Sequence, residues 1–180
     1  MKVLAIILLV TLSSSMILAA RSSKRILSKK RQLAGNFNKI ANRRYPDVVM
    51  SAYGAAPVAG TRVVSWKWAA GANQEWDGVL HPATQVWSQN AECTWLFYNR
   101  ANSSLLLTKG ADKKLTVEVW NGQPSQLWKY TPTTGRFLSM AGGKLDASYG
   151  HEDGDQLQTD SFTSRSNGDN ERWDMVRYYH

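Results

Sequence analysis

Hydrophobic and polar positions alternate along most of the chain. From Tyr45 onward, apolar residues recur with a period of two in short runs rich in Val, Trp, Thr and Tyr. This period is typical of β-strands, because successive side chains point to opposite faces of a sheet. About twelve such runs at roughly ten-residue spacing, with Gly, Asn, Asp and Pro between them, predict an all-β sandwich or barrel. The runs are VVMSA, TRVVSWKW, QEWDGVL, TQVWSQ, CTWLFY, SLLLT, KLTVEVW, QLWKYT, RFLSM, KLDAS, DQLQTDSF and RWDMVRYY.

A tryptophan-ending pattern occurs three times, and its tryptophans are 52 and 45 residues apart. Two further matched segments precede each copy, and we align the nearer one so that Val63, Val117 and Leu157 correspond. Threefold repetition of a four-strand unit predicts a β-trefoil with pseudo-threefold symmetry. The three copies are residues 73–76, 125–128 and 170–173, and the nearer segments are residues 60–66, 114–120 and 154–160.

These patterns resemble those of the ricin-type (R-type) β-trefoil lectins. The family's Gln-x-Trp motif is intact in the first two copies and becomes Glu-x-Trp in the third, and a Gly-x-x-Val-x-x-Trp run, residues 60–66, precedes the first. The resemblance covers residues 45–180. It implies that the motif tryptophans pack in a shared core, while the motif glutamines tie a loop by hydrogen bonds. These structural residues are Trp76, Trp128, Trp173, Gln74 and Gln126.

The resemblance also implies where a sugar would bind. A saccharide has a hydroxyl rim and apolar C–H faces, so a site needs polar acceptors and an aromatic ring. In the family, each repeat can supply an Asp in its first strand, an aromatic residue at the end of the nearer segment, and an Asn before the Gln. The first repeat has the ring, Trp66, and the amide, Asn73, but Ser51 replaces the Asp.

The other two repeats differ in what they retain. The second has Trp120, but Ser125 replaces the Asn and its first strand has no Asp, so it is expected to be structural. The third has Asp146 and Asn170, but Asp160 occupies the ring position, so an aromatic residue nearby in sequence would have to replace it. The candidates for this ring are Phe162, Tyr149 and His151. We therefore rank the third repeat first and the first repeat second.

Each candidate residue also has a structural interpretation. Asp146 is equally typical of a residue that organises a hairpin. Trp66 and Trp68 lie on one face of a strand, which also suits core or hairpin packing. Asn73 and Asn170 are common turn formers.

The excess of positive charge lies at the beginning of the chain. The formal net charge is +8, but 10 of the 22 basic residues precede residue 45, leaving 12 against all 14 acidic residues. Nucleic-acid binding by the domain is therefore not predicted. Residues 1–20 resemble a cleaved signal peptide more than a membrane anchor, because polar residues interrupt the apolar run. Secretion follows from this prediction.

Residues 21–44 form a basic arm with two open interpretations. Ile26, Leu33, Phe37 and Ile40 recur at helical spacing, which would suit an amphipathic helix on an anionic membrane surface. Alternatively, the dibasic pairs at residues 24–25 and 30–31 indicate a spacer or propeptide, which we favour.

The remaining signals add little chemistry. No nucleophile, phosphate-binding or metalloprotease motif occurs, so we predict neither catalysis nor a cofactor or metal. The acidic cluster at residues 151–155 does not have EF-hand spacing. The single cysteine, Cys93, is either buried or paired with another chain. Asn102 begins a glycosylation sequon.

The sequence thus predicts a secreted, carbohydrate-binding protein without catalytic activity, whose partners are glycans or glycoproteins. Two alternatives come from other classes. One is a protein-interaction or inhibitor β-trefoil whose sugar sites have degenerated, since every repeat lacks a member of the site. The other is a carrier of a cationic membrane-active peptide.

Overall fold

The computed structural model describes residues 34–35, 39–81, 94–147, 154, 156–160, 168 and 171–177. The predicted signal peptide, most of the basic arm, the run at residues 84–89 and Cys93 lie outside these residues. In the described part, no helix is long and apolar enough to cross a membrane. The strands are β1 (Ala34–Gly35), β2 (Lys39–Asn42), β3 (Val48–Ala52), β4 (Val63–Lys67), β5 (Trp76–Leu80), β6 (Thr94–Asn99), β7 (Leu105–Lys109), β8 (Leu115–Val119), β9 (Trp128–Thr131), β10 (Arg136–Ser139), β11 (Lys144–Ala147), β12 (Leu157–Asp160) and β13 (Trp173–Val176).

The strands β2–β13 divide into three sets of four with the same pairing. In each set the first strand pairs with the second, and the second and third form a hairpin: β2-β3-β4, β6-β7-β8 and β10-β11-β12. The fourth strand of each set pairs with the first strand of the next, as β5 with β6, β9 with β10 and β13 with β2. This cyclic pairing makes the three sets equivalent.

Three isolated backbone bridges close a ring around the pseudo-threefold axis. Arg62 pairs with Thr116, Lys114 with Gln158, and Gln156 with Val64. In each case, the residue before the first position of one hairpin strand (β4, β8 or β12) pairs with the second position of another. The described part of the chain is therefore all-β and has the β-trefoil architecture that the repeat predicts.

Gln156 lies at this axis. Its Nε2 donates to the carbonyl oxygens of Val63, Leu115 and Leu157, at 2.9, 2.7 and 3.3 Å. The three acceptors are the first residues of β4, β8 and β12, and all three are fully buried. One side chain thus joins equivalent atoms of all three repeats.

The larger of two hydrophobic clusters in the described residues draws on all three repeats. The three motif tryptophans, Trp76, Trp128 and Trp173, belong to it and are at most 1% exposed. The indole N–H of Trp76 donates to Met50 O at 2.9 Å, and that of Trp128 donates to Leu107 O at 3.1 Å. These bonds fix each indole on the second strand of its repeat and satisfy a buried donor.

The trefoil begins before Tyr45, so the predicted boundary at residues 44 and 45 differs from the structure. The described residues from Gly35 onward form one compact unit, and β2 lies inside the stretch predicted as a basic arm. Ile40, predicted on the apolar face of a helix, is a strand residue of the core and is 1% exposed. Ile40, Ala41 and Asn42 are all buried, so this four-residue strand shows no alternation of apolar and polar residues in the sequence.

Arg43 ties the end of β2 to the rest of the domain. Its Nε donates to Asp174 Oδ2 at 2.9 Å and its Nη2 to Asp174 Oδ1 at 2.5 Å. The same guanidinium donates to Pro132 O and Thr133 O, at 2.8 and 3.2 Å. The hydrogen bond to Asp174 raises the pKa of Arg43 above its ordinary value. This basic residue is therefore part of the fold.

Candidate functional site

Two motif glutamines shape the loops beside the candidate sites. Gln74 accepts from Ala69 N at 2.7 Å and donates to Lys67 O at 2.8 Å. Gln126 makes the equivalent bonds, accepting from Asn121 N at 2.8 Å and donating to Val119 O at 3.0 Å. Each glutamine ends a short 3₁₀ helix, Ala72–Gln74 or Pro124–Gln126, and is buried. The amides thus fix the loop that follows each hairpin.

These bonds establish which residues of the repeats are equivalent. Lys67 and Val119 are equivalent, because the carbonyl oxygen of each accepts from a motif glutamine. The residues that follow them, Trp68 and Trp120, are therefore equivalent too. The position of Trp66 is occupied by Glu118 in the second repeat and by Asp160 in the third. The alignment of Trp120 with Trp66, and of Val117 with Val63, was therefore wrong by two residues. A shift of two keeps every side chain on the same face of a strand, so the hydrophobic pattern does not reveal it.

The structure brings together the three candidate residues of the first repeat. Ser51, Trp66 and Asn73 line one surface depression of about 380 Å³. The Asn73 amide donates to Ser51 Oγ at 3.1 Å and to Ala52 O at 2.9 Å, so Asn73 is held against β3. The other lining residues are Tyr53, Gly54, Ala55, Val64, Ala69, Gly71 and Gln74, and none of the lining residues is charged.

Two of the residues that line this depression are exposed aromatic side chains. Trp66 is 37% exposed and Tyr53 is 47% exposed. Their ring centroids are 6.3 Å apart with an interplanar angle of 74°, an edge-to-face arrangement. Arg62 lies over the Tyr53 ring, with its Cζ 4.1 Å from the centroid. An apolar surface is therefore presented next to polar groups.

Tyr53 and Gly71 were not among the predicted site residues. A Tyr-Gly pair follows the first hairpin strand of both the first and third repeats, at residues 53–54 and 149–150, and this repetition could have identified Tyr53. Gly71 has no such signal. A Cβ at Gly71 would lie 2.5 Å from Asn73 Oδ1, so only glycine leaves room for the amide in this position.

The second repeat has no equivalent arrangement in the described residues. Thr108, at the position of Ser51, is buried and accepts from Gln126 Nε2 at 3.1 Å. Trp120 is 40% exposed and lies beside His81, with ring centroids 6.3 Å apart. The Trp120 ring therefore occupies a different position in its repeat from that of Trp66. The Thr108 hydroxyl, at the position of Ser51, is already hydrogen-bonded to the motif glutamine Gln126.

The third repeat is described only in part. Asp146 is 8% exposed and lies opposite Gln158 in the β11–β12 hairpin. Asn170, Phe162, Tyr149 and His151 lie outside the described residues. Glu171, at the position of the motif glutamines, forms a buried ion pair with Lys144, with Oε1 and Nζ 2.5 Å apart. The predicted grouping of Asp146 with Asn170 and Phe162 remains a prediction.

Two smaller predictions concern modification and metal binding. Asn102 accepts from Ser104 N at 3.2 Å in a turn and donates to Pro57 O at 3.3 Å, so its glycosylation stays a prediction. The described residues contain no group of three or more metal-ligating side chains. The acidic cluster at residues 151–155 is described only at Gly154.

Comparison with known proteins identifies the fold. No protein-family model and no curated protein matches the chain. A mosquitocidal holotoxin matches at a TM-score of 0.66 and 18% identity, over 79% of this chain and 17% of that chain. The chain thus spans about a sixth of that toxin.

Two separate lectin structures match over nearly their whole length. The β-trefoil lectin of the Vibrio vulnificus hemolysin/cytolysin, with N-acetyl-D-lactosamine bound, has a TM-score of 0.58 and 20% identity over 79% of this chain and 96% of that chain. The C-half of an earthworm R-type lectin, in complex with GalNAc, has a TM-score of 0.57 and 14% identity over 76% of this chain and 95% of that chain. The ring of bridges, the three core tryptophans and these likenesses agree, and the chain has the β-trefoil fold found in R-type lectins.

Proposed function

We propose that this protein binds carbohydrate through the depression of the first repeat and that it does so without catalysis. The observation that carries the proposal is the convergence of Trp66, Tyr53, Asn73 and Ser51 on one surface depression. The partners would be glycans or glycoproteins. Because the third-repeat candidates lie largely outside the described residues, the first repeat, ranked second from the sequence, is the site that the structure supports.

The chemistry of the depression suits a saccharide. The exposed indole of Trp66 and the ring of Tyr53 can cover the apolar C–H face of a sugar ring. The Ser51 hydroxyl hydrogen and both Asn73 amide hydrogens are bonded within the first repeat, so these two side chains offer their oxygens as acceptors for sugar hydroxyls. Ser51 is a neutral acceptor, and a neutral hydrogen bond is about half as strong as one to a carboxylate. We therefore expect weak binding by a single site, with avidity gained from several copies.

The absence of catalysis and the secretion of the protein are parts of the same proposal. Glycoside hydrolysis needs a pair of carboxylates on either side of the scissile bond. The residues that line the depression include no carboxylate, which favours binding over hydrolysis. The signal-like sequence at residues 1–20 supports secretion.

The test compares two tryptophans of similar exposure. Trp66→Ala removes the ring of the depression, whereas Trp120→Ala removes an equally exposed ring from the second repeat. We would measure binding on a glycan array, and by titration calorimetry with GalNAc and N-acetyl-D-lactosamine, the sugars bound in the two lectin structures. We expect Trp66→Ala to weaken binding about tenfold or more and Trp120→Ala to leave it unchanged.

Other outcomes would redirect or overturn the proposal. If Asp146→Ala abolishes binding while Trp66→Ala does not, the site belongs to the third repeat. If the native protein binds no glycan on the array, the carbohydrate-binding proposal is wrong, and the protein-interaction alternative takes its place.

A further inference from the structure

The Trp66 indole contacts a residue of another repeat. Gly154, which precedes β12 in the third repeat, lies against the six-membered ring of the Trp66 indole. A Cβ at Gly154 would lie 3.3 Å from Trp66 Cζ3 and 3.9 Å from Cε3. The first of these distances is tighter than ordinary van der Waals contact between carbon atoms. The main chain of Gly154 therefore occupies the space beside the ring, and a side chain would displace the ring.

The backbone of Gly154 is fixed by the symmetry of the fold. Gly154 N donates to Ser65 O at 2.8 Å, and φ is +92°. Gly60 holds the equivalent position in the first repeat, where its N donates to Val117 O at 2.9 Å and φ is +86°. Both glycines bond to the hairpin strand of another repeat, and both have a conformation that L residues rarely adopt.

The two glycines differ in what a side chain would meet. A Cβ at Gly60 has nothing within 4 Å, whereas a Cβ at Gly154 meets Trp66. The requirement for glycine at position 60 is thus explained by the backbone alone. At position 154, the backbone and the neighbouring indole both favour glycine.

We propose that Gly154 is a positioning residue for Trp66, so that the first-repeat site is built from two repeats. This inference rests on the proposed function of the depression. The Gly154 main chain and the edge-to-face contact with Tyr53 both restrict the indole, which stays 37% exposed. A ring held in advance loses less conformational freedom when the sugar binds.

The experiment compares Gly154→Ala with Gly60→Ala in the full chain. Both variants carry a similar backbone penalty, since both residues have a positive φ. The protein would be labelled with 5-fluorotryptophan, and the Trp66 resonance would be assigned by its loss in Trp66→Phe. GalNAc and N-acetyl-D-lactosamine would be titrated into each variant. We expect Gly154→Ala to shift the Trp66 resonance and to weaken binding about tenfold, and Gly60→Ala to do neither.

Each outcome decides a separate question. If Gly154→Ala leaves the Trp66 resonance unchanged, or if Gly60→Ala weakens binding equally, Gly154 does not position the ring. If neither sugar binds the native protein, the proposed function lacks support, while the fluorine spectra still decide whether Gly154 holds Trp66. Should either alanine variant fail to fold, Gly154→Asn and Gly60→Asn replace the pair, because asparagine tolerates a positive φ better.

Discussion

Gln156 concentrates the contacts between the repeats in a single amide. Its Nε2 carries two hydrogens and lies within 3.3 Å of three carbonyl oxygens, so at least one hydrogen is shared. The acceptor residues are fully buried, so water is a poor substitute for the donor. No motif marks this residue in the sequence, because its role depends on where three strands meet.

We therefore predict that Gln156→Leu lowers the free energy of unfolding by about 1–3 kcal/mol, the usual cost of leaving buried acceptors without a donor. Urea denaturation of the variant and the native protein would measure this difference. Gln158→Leu is the matched control, since Gln158 joins the ring through its backbone, and we expect a change within about 0.5 kcal/mol. Equal losses in the two variants would contradict the axial role of Gln156.

The ion pair of the third repeat is a local departure from the threefold pattern. Lys144 and Glu171 are almost fully buried. The equivalent pairs are Val49 with Gln74 in the first repeat and Leu106 with Gln126 in the second. Where the first two repeats have an apolar residue and a neutral amide, the third repeat has two opposite charges. The free-energy cost of burying each charge is offset by its attraction to the other, so it is offset only while both charges are present.

We predict that Glu171→Gln alone lowers the free energy of unfolding by about 3–5 kcal/mol, because the Lys144 ammonium loses its carboxylate partner. Lys144→Val combined with Glu171→Gln restores the pattern of the first repeat, and we expect stability within about 1 kcal/mol of the native protein. Thermal and urea unfolding of both variants would test this. A double variant as unstable as the single one would show that the charges serve another contact.

At the level of elements, β2 shows how a strand can be hidden in a sequence. It pairs with β13 and β3, and Arg43 at its end bonds to Asp174. The sequence KIAN supplies one large apolar residue and lies in a stretch rich in basic residues. Its composition therefore predicts that β2 belongs to the basic arm, whereas its pairing with distant strands makes it part of the domain.

We predict that a chain beginning at Gly35 folds cooperatively, whereas one beginning at Tyr45 melts at least about 10 °C lower or does not fold. Loss of the buried Ile40 side chain alone corresponds to about 2–5 kcal/mol. Circular dichroism and calorimetry would compare the two chains. Within the full chain, Ile40→Ala should be strongly destabilising and Lys39→Ala, which is partly exposed, should not. Equal melting temperatures for the two shortened chains would place β2 outside the folding unit.

Most other elements follow from the sequence because they obey a local rule. Eleven of the twelve predicted runs overlap one of the strands β3–β13, and only the run at residues 84–89 lies wholly outside the described residues. The alternation of apolar and polar residues identifies a strand but not its register. The alignment of the second repeat from the sequence therefore differs from the structural equivalence by two residues. The meeting of Ser51 with Asn73 was predictable from the family pattern. The contact of Gly154 with Trp66 was not, because it joins two repeats.

At the scale of the whole molecule, burial of tyrosines links stability to alkaline pH. Burial raises the pKa of Tyr98 and Tyr130 above the ordinary value of about 10, and Asp174 raises that of Tyr130 further. The unfolded chain therefore releases these protons first as the pH rises. The resulting stability is complete below the unfolded pKa and is lost as the pH rises through the folded pKa.

We predict that the free energy of unfolding falls steadily above about pH 10, by up to about 1.4 kcal/mol per pH unit for each buried tyrosine. Tyr98→Phe and Tyr130→Phe each remove one titrating group and should make this decline shallower, whatever their effect at neutral pH. Urea unfolding at several pH values between 8 and about 11 would measure the slopes. Slopes unchanged in both variants would mean that these phenols ionise equally in the folded and unfolded chain, which is incompatible with their burial between the strands.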